Sequence, residues 1–435
     1  MSNTVPSPAT VPPVKLKDSD CDYSFVEFPK DTIFLESVST NSRFRSHVAY
    51  VPAQRMVDGK VEETHLYEIS PGMKHAKHIA GPLQAPDGST DVTIFGSALT
   101  SYGIWYLCAF NRNSILVVDL TKIDTTPQPI KALWEVPDLP SPNDVCFDPQ
   151  DETTLYVVGG TFASVCCCYQ FSNSARGVVY KVNVKDLDAS FVSIQASGLG
   201  TLAGVEVVGS TLWLAQLYDV LTQDKTKTGT SKTPQVAWKG NDAQEQVWLA
   251  DNIDVTDEGI LLCPAYSTAS EKVVSAIMKR GFLVSLVLFY YQISTACMRN
   301  ESFSEAIRDP EVSLSFSNTY VKDGVAPAPL RLILFKPVDD DNNNNQNKKK
   351  ATTTTTTTTA HFEVDLVDIR TKNANTIVKD PKTGKVLGER YYFNEQVTHT
   401  GHLRDADGQG YLVCVNFECP RILFLKEEPF LAPLK

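Results

Sequence analysis

Carboxylate, carboxamide and imidazole groups recur in this chain beside short apolar runs. They are Glu36, Asn143 with Asp144, Asp251 with Asn252, and His399. Gathered at one point, the oxygens of Glu36, Asn143, Asp251 and Asn252 suit a hard cation, with Ca²⁺ the usual occupant of such sites. The set lacks the paired His or Cys side chains that zinc favours. Taken singly, Pro142-Asn143-Asp144 and Asp251-Asn252 also read as ordinary turn residues. Their recurrence at equivalent places of a repeat is what points to ligands.

That repeat is the frame that must position them. Six segments share a plan in which a polar or small cluster leads into a short strand, a Gly/Asp turn and an aromatic-apolar strand. They begin at Phe34, Thr93, Ser141, Thr201, Leu249 and Val397, spaced 59, 48, 60, 48 and 148 residues apart. Val, Ile, Leu, Tyr and Trp enrichment between turn residues marks each as a strand hairpin. A period near 50 with six starts predicts an all-β, six-bladed propeller over 21–432, since one four-stranded blade takes about that length. NSILVVDLTK, GVVYKVNVKDL and VLGERYYFN are expected to supply outer strands, and pairing of N- and C-terminal strands is expected to close the ring. A two-sheet sandwich is the competing architecture, and six similar hairpins exceed what it requires.

The long last interval holds insertions. Residues 269–308 break the strand pattern and read as one or two helices, a lid over the channel that would exclude water and shape an acceptor pocket. Within them, 281–298 carries no formal charge for eighteen residues. Peripheral membrane contact through this stretch is an open alternative to simple packing on the propeller. Residues 339–360, DDDNNNNQNKKKATTTTTTTTA, cannot bury apolar area and read as a disordered loop. Residues 1–20 read as a disordered Pro/Ser/Thr-rich tail without the apolar core of a secretory signal, which favours the cytoplasm.

Forty basic against fifty-one acidic side chains give a formal charge of −11. No basic stripe interrupts that balance, which argues against a nucleic-acid partner. Ten cysteines, three of them adjacent at 166–168, are too few for a disulfide scaffold in a chain of 435 residues. Asp405-Ala406-Asp407-Gly408 imitates the start of an EF-hand loop but lacks the later Glu, so a hairpin turn is expected there. His399 and His402 are three apart, which on a strand directs them to opposite faces.

The stretches ESV at Glu36, SPNDVCFDPQDETTLYVVGG, GTLAGVEVVGSTLWLAQL, ADNIDVTDEGILL and THTGHL…GYLVCVNFECPRILFL together resemble the calcium-dependent six-bladed propeller superfamily. Its members include paraoxonases (arylesterases), gluconolactonases of the regucalcin type and strictosidine-synthase-like proteins. The resemblance implies a metal in the channel held by Glu36, Asn143, Asp251 and Asn252. In paraoxonases the Asp that follows the motif's Asn helps to bind a second, structural calcium, and Asp144 occupies that place. Several positions depart from the family pattern. Ala203-Gly204 stands where Asn-Gly is usual, Ser37 where paraoxonases carry Asp, and Phe95-Gly96 and Asn111-Arg112 where their histidines lie. Glu418 is too far into its strand to match the strictosidine synthase glutamate.

The resulting expectation is calcium-dependent hydrolysis of a small-molecule ester or lactone. The metal would act as a Lewis acid, and His399, at the start of blade six, would serve as general base in place of the missing histidines. The alternative is a non-catalytic propeller that binds partners, having lost a metal ligand and both histidines.

Overall fold

The structure, a computed structural model, describes residues 14–15, 23–29, 32–57, 61–123, 128–136, 139, 141–159, 177–184, 191–200, 202–216, 219–226, 234–239, 248–267, 320–321, 330–337, 362–369, 375–379, 386–391, 397–416 and 421–427. The expected lid at 269–308 with its apolar stretch 281–298, the loop at 339–360, the cysteines at 166–168 and Glu418 lie outside these residues. Among the described residues no helix is long and apolar enough to cross a membrane.

Six sheets of four or more strands follow one another around an axis. Blade one has its inner strand in two pieces, Thr32–Leu35 and Ser39–Asn41, followed by Ser46–Val57, Val61–Ile69 and Lys77–Ala80. Ile94–Leu99, Asp144–Asp148 and Leu202–Val208 are the inner strands of blades two, three and four. Blade five again has a divided inner strand, Trp248–Ala250 and Asp254–Val255, paired to Leu261–Ser267. Its outer strands are Leu330–Pro337 and Phe362–Ile369. In blade six, Val397–Arg404, Gly410–Asn416 and Arg421–Lys426 are completed by the N-terminal strand Tyr23–Glu27, which runs antiparallel to Arg421–Lys426 and closes the ring. Val14–Lys15 pair in parallel with Phe362–Ile369.

Ser114–Asp119 and Gly177–Asn183 are third strands of their blades, as their sequences suggest. Val386–Tyr391, within VLGERYYFN, is not a blade strand. It joins Asn375–Lys379 and Tyr320–Val321 in a separate three-stranded sheet. Strand propensity alone cannot say which sheet a strand joins, because the partner is chosen by tertiary packing. Asp405–Gly408 is a hairpin turn: the Asp405 carboxylate accepts from the Asp407 and Gln409 N–H groups, and Gly408 has φ 82°.

Alternation along each strand explains why the blades stack. In blade two, Trp105 and Leu107 pack toward blade one while Tyr106 and Cys108 pack toward blade three. In blade four, Leu212 and Leu214 face blade three, and Trp213 and Ala215 face blade five. Successive side chains on a strand point to opposite sides, so one strand serves two interfaces. Six apolar clusters result, one between each pair of neighbouring blades. Val26 and Phe28 of the closing segment lie in the cluster between blades six and one. Cys108, Cys146, Cys263 and Cys414 are free and buried in these layers, where they act as small apolar residues.

Glycines let the inner strands meet near the axis. A Cβ on Gly204 would lie 2.6 Å from the Asn252 Cα and the Ile253 nitrogen, and one on Gly96 would fall on the backbone of Asn143 and Asp144. Replacing Gly204 with Ala should therefore push blades four and five apart and cost about 1–3 kcal/mol. Thermal denaturation measures this; an unchanged Tm would show that the inner strands have room to spread.

Candidate functional site

One irregularity recurs near the head of the inner strands. In blade one, Leu35 pairs with Ala53 and Ser39 with Tyr50, so one extra residue is accommodated between 35 and 39. Blade five repeats this between Ala250 and Asp254. Register shifts fall at Ala203 in blade four, at Thr398 in blade six and at Phe95-Gly96 in blade two. In blade three, Asn143 immediately precedes the strand and donates its N–H to the Val158 carbonyl. Bulges re-aim side chains and release backbone groups from the ladder. Glu36, Asp251 and Asn252 sit in the two breaks.

Links between neighbouring blades tie this level into a closed ring. The Ser37 and Ser97 hydroxyls bond at 2.6 Å between blades one and two. Gly96 packs on Asn143 and Asp144, and the Asp144 Oδ2 accepts the Val205 N–H at 3.0 Å across blades three and four. Gly204 packs on Asn252, whose N–H donates to the Thr398 carbonyl at 3.1 Å. The Thr398 hydroxyl then donates to the Glu36 carbonyl at 3.4 Å. Residues separated by up to 362 positions thus become neighbours.

The ring is acidic and short of partners. Burial raises the Glu36 carboxyl well above its usual range, and the charges of Asp251 and Asp144 raise it further. Burial also pushes Asp251 up to about 7 and raises Asp144. Two further acids that sequence reading missed belong to the same field. Burial pushes Asp254 up to about 7, and burial together with the charges of Asp254 and Asp144 raises Glu206. Among the described residues no ion pair reaches any of the five. Asn252 is fully buried, yet neither its Oδ1 nor its Nδ2 has a hydrogen-bond partner, and the same is true of the Asn143 Oδ1. Orphaned buried amides of this kind mark the place of a water or an ion.

His399 is buried and its Nδ1 has no partner; burial lowers its pKa to about 4, so the ring is uncharged at neutral pH. It follows Thr398 on the strand but lines a cavity of ≈ 320 Å³ that includes neither Glu36, Asn143, Asp251 nor Asn252. His402 bonds the Glu427 carboxylate at 2.8 Å.

The positions that depart from the family pattern are occupied in other ways. Ala203 presents only a methyl, Phe95 stacks on Phe110 with centroids 4.2 Å apart, and Arg112 pairs with Glu135 and Asp87. Ser37 is held by Ser97.

Donors of this kind can hold a hard cation through two carboxylates, Glu36 and Asp251, and two amide oxygens, those of Asn143 and Asn252. Among the described residues no three His, Cys, Asp or Glu side chains form such a group by themselves.

No family model matches the chain, and no curated protein matches it in sequence. Solved structures of similar architecture include Kuenenia stuttgartiensis hydrazine synthase, at 12% identity and TM-score 0.32, aligned over 55% of this chain and 58% of that one. A luciferin-regenerating enzyme aligns at 11% identity and TM-score 0.38, over 56% of this chain and 74% of that one. Both neighbours are enzymes, and neither likeness bears on the reaction here.

The acids predict a distinct pH dependence. A carboxyl whose pKa is raised on folding binds its proton more tightly in the native state, so stability falls as pH rises from near 4 through about 7. His399 works the other way between about 4 and 6.5, but it is one group against five. Chelator-treated protein should therefore melt several degrees lower at about pH 8 than at about pH 5. Added divalent cation should restore more of the Tm at the higher pH. A melting temperature that rises with pH would show that the carboxylates have partners.

Proposed function

We propose that the chain is a cation-dependent hydrolase of esters or lactones, with Ca²⁺ in the ring of Glu36, Asn143, Asp251 and Asn252. The observation that carries this reading is the fully buried Asn252, whose Oδ1 acceptor is unpaired near carboxyls that no ion pair reaches among the described residues. Oxygen donors, charged and neutral, match a hard divalent ion and not zinc. Bound there, such an ion would supply Lewis-acid polarisation of a carbonyl oxygen.

The chain's own residues set the conditions for that chemistry. Glu36 and Asp251 are carried on strand breaks whose backbone is fixed by Thr398 and Pro264, so their positions are set before anything binds. Asp144, committed to the Val205 N–H, adds negative potential without being free to swing into the ring. His399, neutral and unpaired, is the acceptor we assign to the attacking water's proton, for a substrate whose reacting atom reaches the junction of ring and cavity. A low pKa makes it a weak base, so a modest turnover is expected.

One observation favours the non-catalytic alternative. Ala203 and Phe95 place a methyl and a stacked phenyl where the resembled family carries a ligand and a histidine. Calorimetric titration of the chelator-stripped full chain with Ca²⁺, beside an Asp251→Ala, Asn252→Ala variant, separates the two. One saturable site that disappears in the variant is the expected result, followed by turnover in an ester and lactone screen. No heat of binding in the intact chain would remove the metal and the hydrolase together and leave the partner-binding propeller.

A further inference from the structure

The cavity that His399 lines is a second feature of the axis, sharing Asp144 with the ring. It extends from Ser97, Asp144 and Glu206 to Asn41 and Asp257. At ≈ 320 Å³ it is roughly twenty to thirty times what one water requires, about 10–15 Å³ on the same measure. A bare metal ion would leave most of it unfilled.

Its walls combine several chemistries. Leu99, Val145, Phe147 and Ile253 give apolar surface, Asp144, Glu206 and Asp254 give carboxyl groups, and Arg43 lines it as well. Each of these acids has one oxygen held by a backbone N–H, from Val205 at 3.0 Å, Val207 at 2.7 Å and Val255 at 2.7 Å. Among the described residues no further hydrogen-bond donor is found for the second oxygens of Glu206 and Asp254. His399 is a separate observation pointing the same way: it is 4% exposed, lines the cavity, and its Nδ1 has no hydrogen-bond partner among the described residues. As a neutral imidazole it offers an acceptor nitrogen.

We propose that this cavity binds a small organic ammonium ion, its charged head among Glu206, Asp254 and His399 and its apolar body against Leu99, Val145 and Ile253. An ammonium group carries three donors and no acceptor, which matches the acceptor atoms of Glu206, Asp254 and His399. An anion at that end would meet the carboxyl groups of Asp144, Glu206 and Asp254. A metal ion would find no group of three His, Cys, Asp or Glu among the described residues able to hold it. Apolar walls around a charged end are what an amine with a hydrocarbon body needs. The inference does not depend on an ion in the ring.

The test is calorimetric titration of the full chain with benzylamine, and with benzyl alcohol and benzoate as neutral and anionic counterparts of similar shape. Benzylamine should bind saturably and at least about tenfold more tightly than benzyl alcohol, with benzoate not binding, because the charge-assisted hydrogen bonds are lost in both. Glu206→Gln should weaken benzylamine about tenfold. Equal binding of amine and alcohol, or no binding of the amine, overturns the proposal. So does a second Ca²⁺ site that Glu206→Gln abolishes and benzylamine fails to displace. The comparison of the three probes on the unaltered chain decides the question even if the variant does not fold.

Discussion

A carboxylate taken out of water without a positive partner costs several kcal/mol, and it stays in a protein only where something repeatedly forces it there. In this chain the force is geometric. Six blades converge on one axis, and the heads of three inner strands carry Glu36, Asn143-Asp144 and Asp251-Asn252 to it. Apolar packing between the blades fixes the convergence, and the axis inherits the charge. The neutral alternatives open to the acids are protonation, which the raised pKa values of Glu36, Asp144 and Asp251 describe, or a bound cation. Both relieve the same repulsion, and both offer a partner to the amide oxygens of Asn143 and Asn252, an O–H donor in one case and a cation in the other.

The ring is built by alternation. Blades one, three and five bring polar side chains, whereas blades two and four bring Gly96 and Gly204 against the backbone of blades three and five. A side chain on either glycine would not fit, since its Cβ would fall on that backbone. The extra residue in the inner strands of blades one and five turns Glu36 and Asp251 out of the ladder at that level. Packing between blades and the direction of the polar groups are therefore one design, in which glycine provides the approach and the bulge provides the aim.

Much of this is legible in the sequence, and the reasons for the rest are specific. The six hairpins and the closing strand follow from the repeat, and the strand heads that carry Glu36, Asn143, Asp251 and Asn252 turn to the axis because equivalent positions of a radial repeat must face it. Glu206 and Asp254 are less readable. Each lies inside an apolar strand run, where alternation says only that one side differs from the other, and an acid there looks like a solvent-facing residue. The inner strand faces the channel with its edge, so that inference fails at this one place in a propeller. Their signal is that Asp254 lies two residues past Asn252 and Glu206 two past Gly204, on the channel-lining stretch. Val386–Tyr391 is opaque for another reason: an insertion that forms its own small sheet has the same strand chemistry as a blade.

Asp144 is the residue through which the two halves of the axis are coupled. It belongs to the ring by its place after Asn143 and to the cavity by its position in the wall, and its charge raises both Glu36 above and Glu206 below. A positive charge bound at either end favours the ionised form of Asp144, which in turn strengthens attraction at the other end. Two cations also repel each other directly, and in a low-dielectric channel that repulsion is not screened by salt. The net sign depends on which is larger, but its existence does not. Binding linkage is reciprocal, so whatever an ion in the ring does to an ammonium in the cavity, the ammonium does equally to the ion. A channel with one shared carboxylate between two acidic ends is thus a single electrostatic unit, and substitutions at Asp144 act on both of its ends.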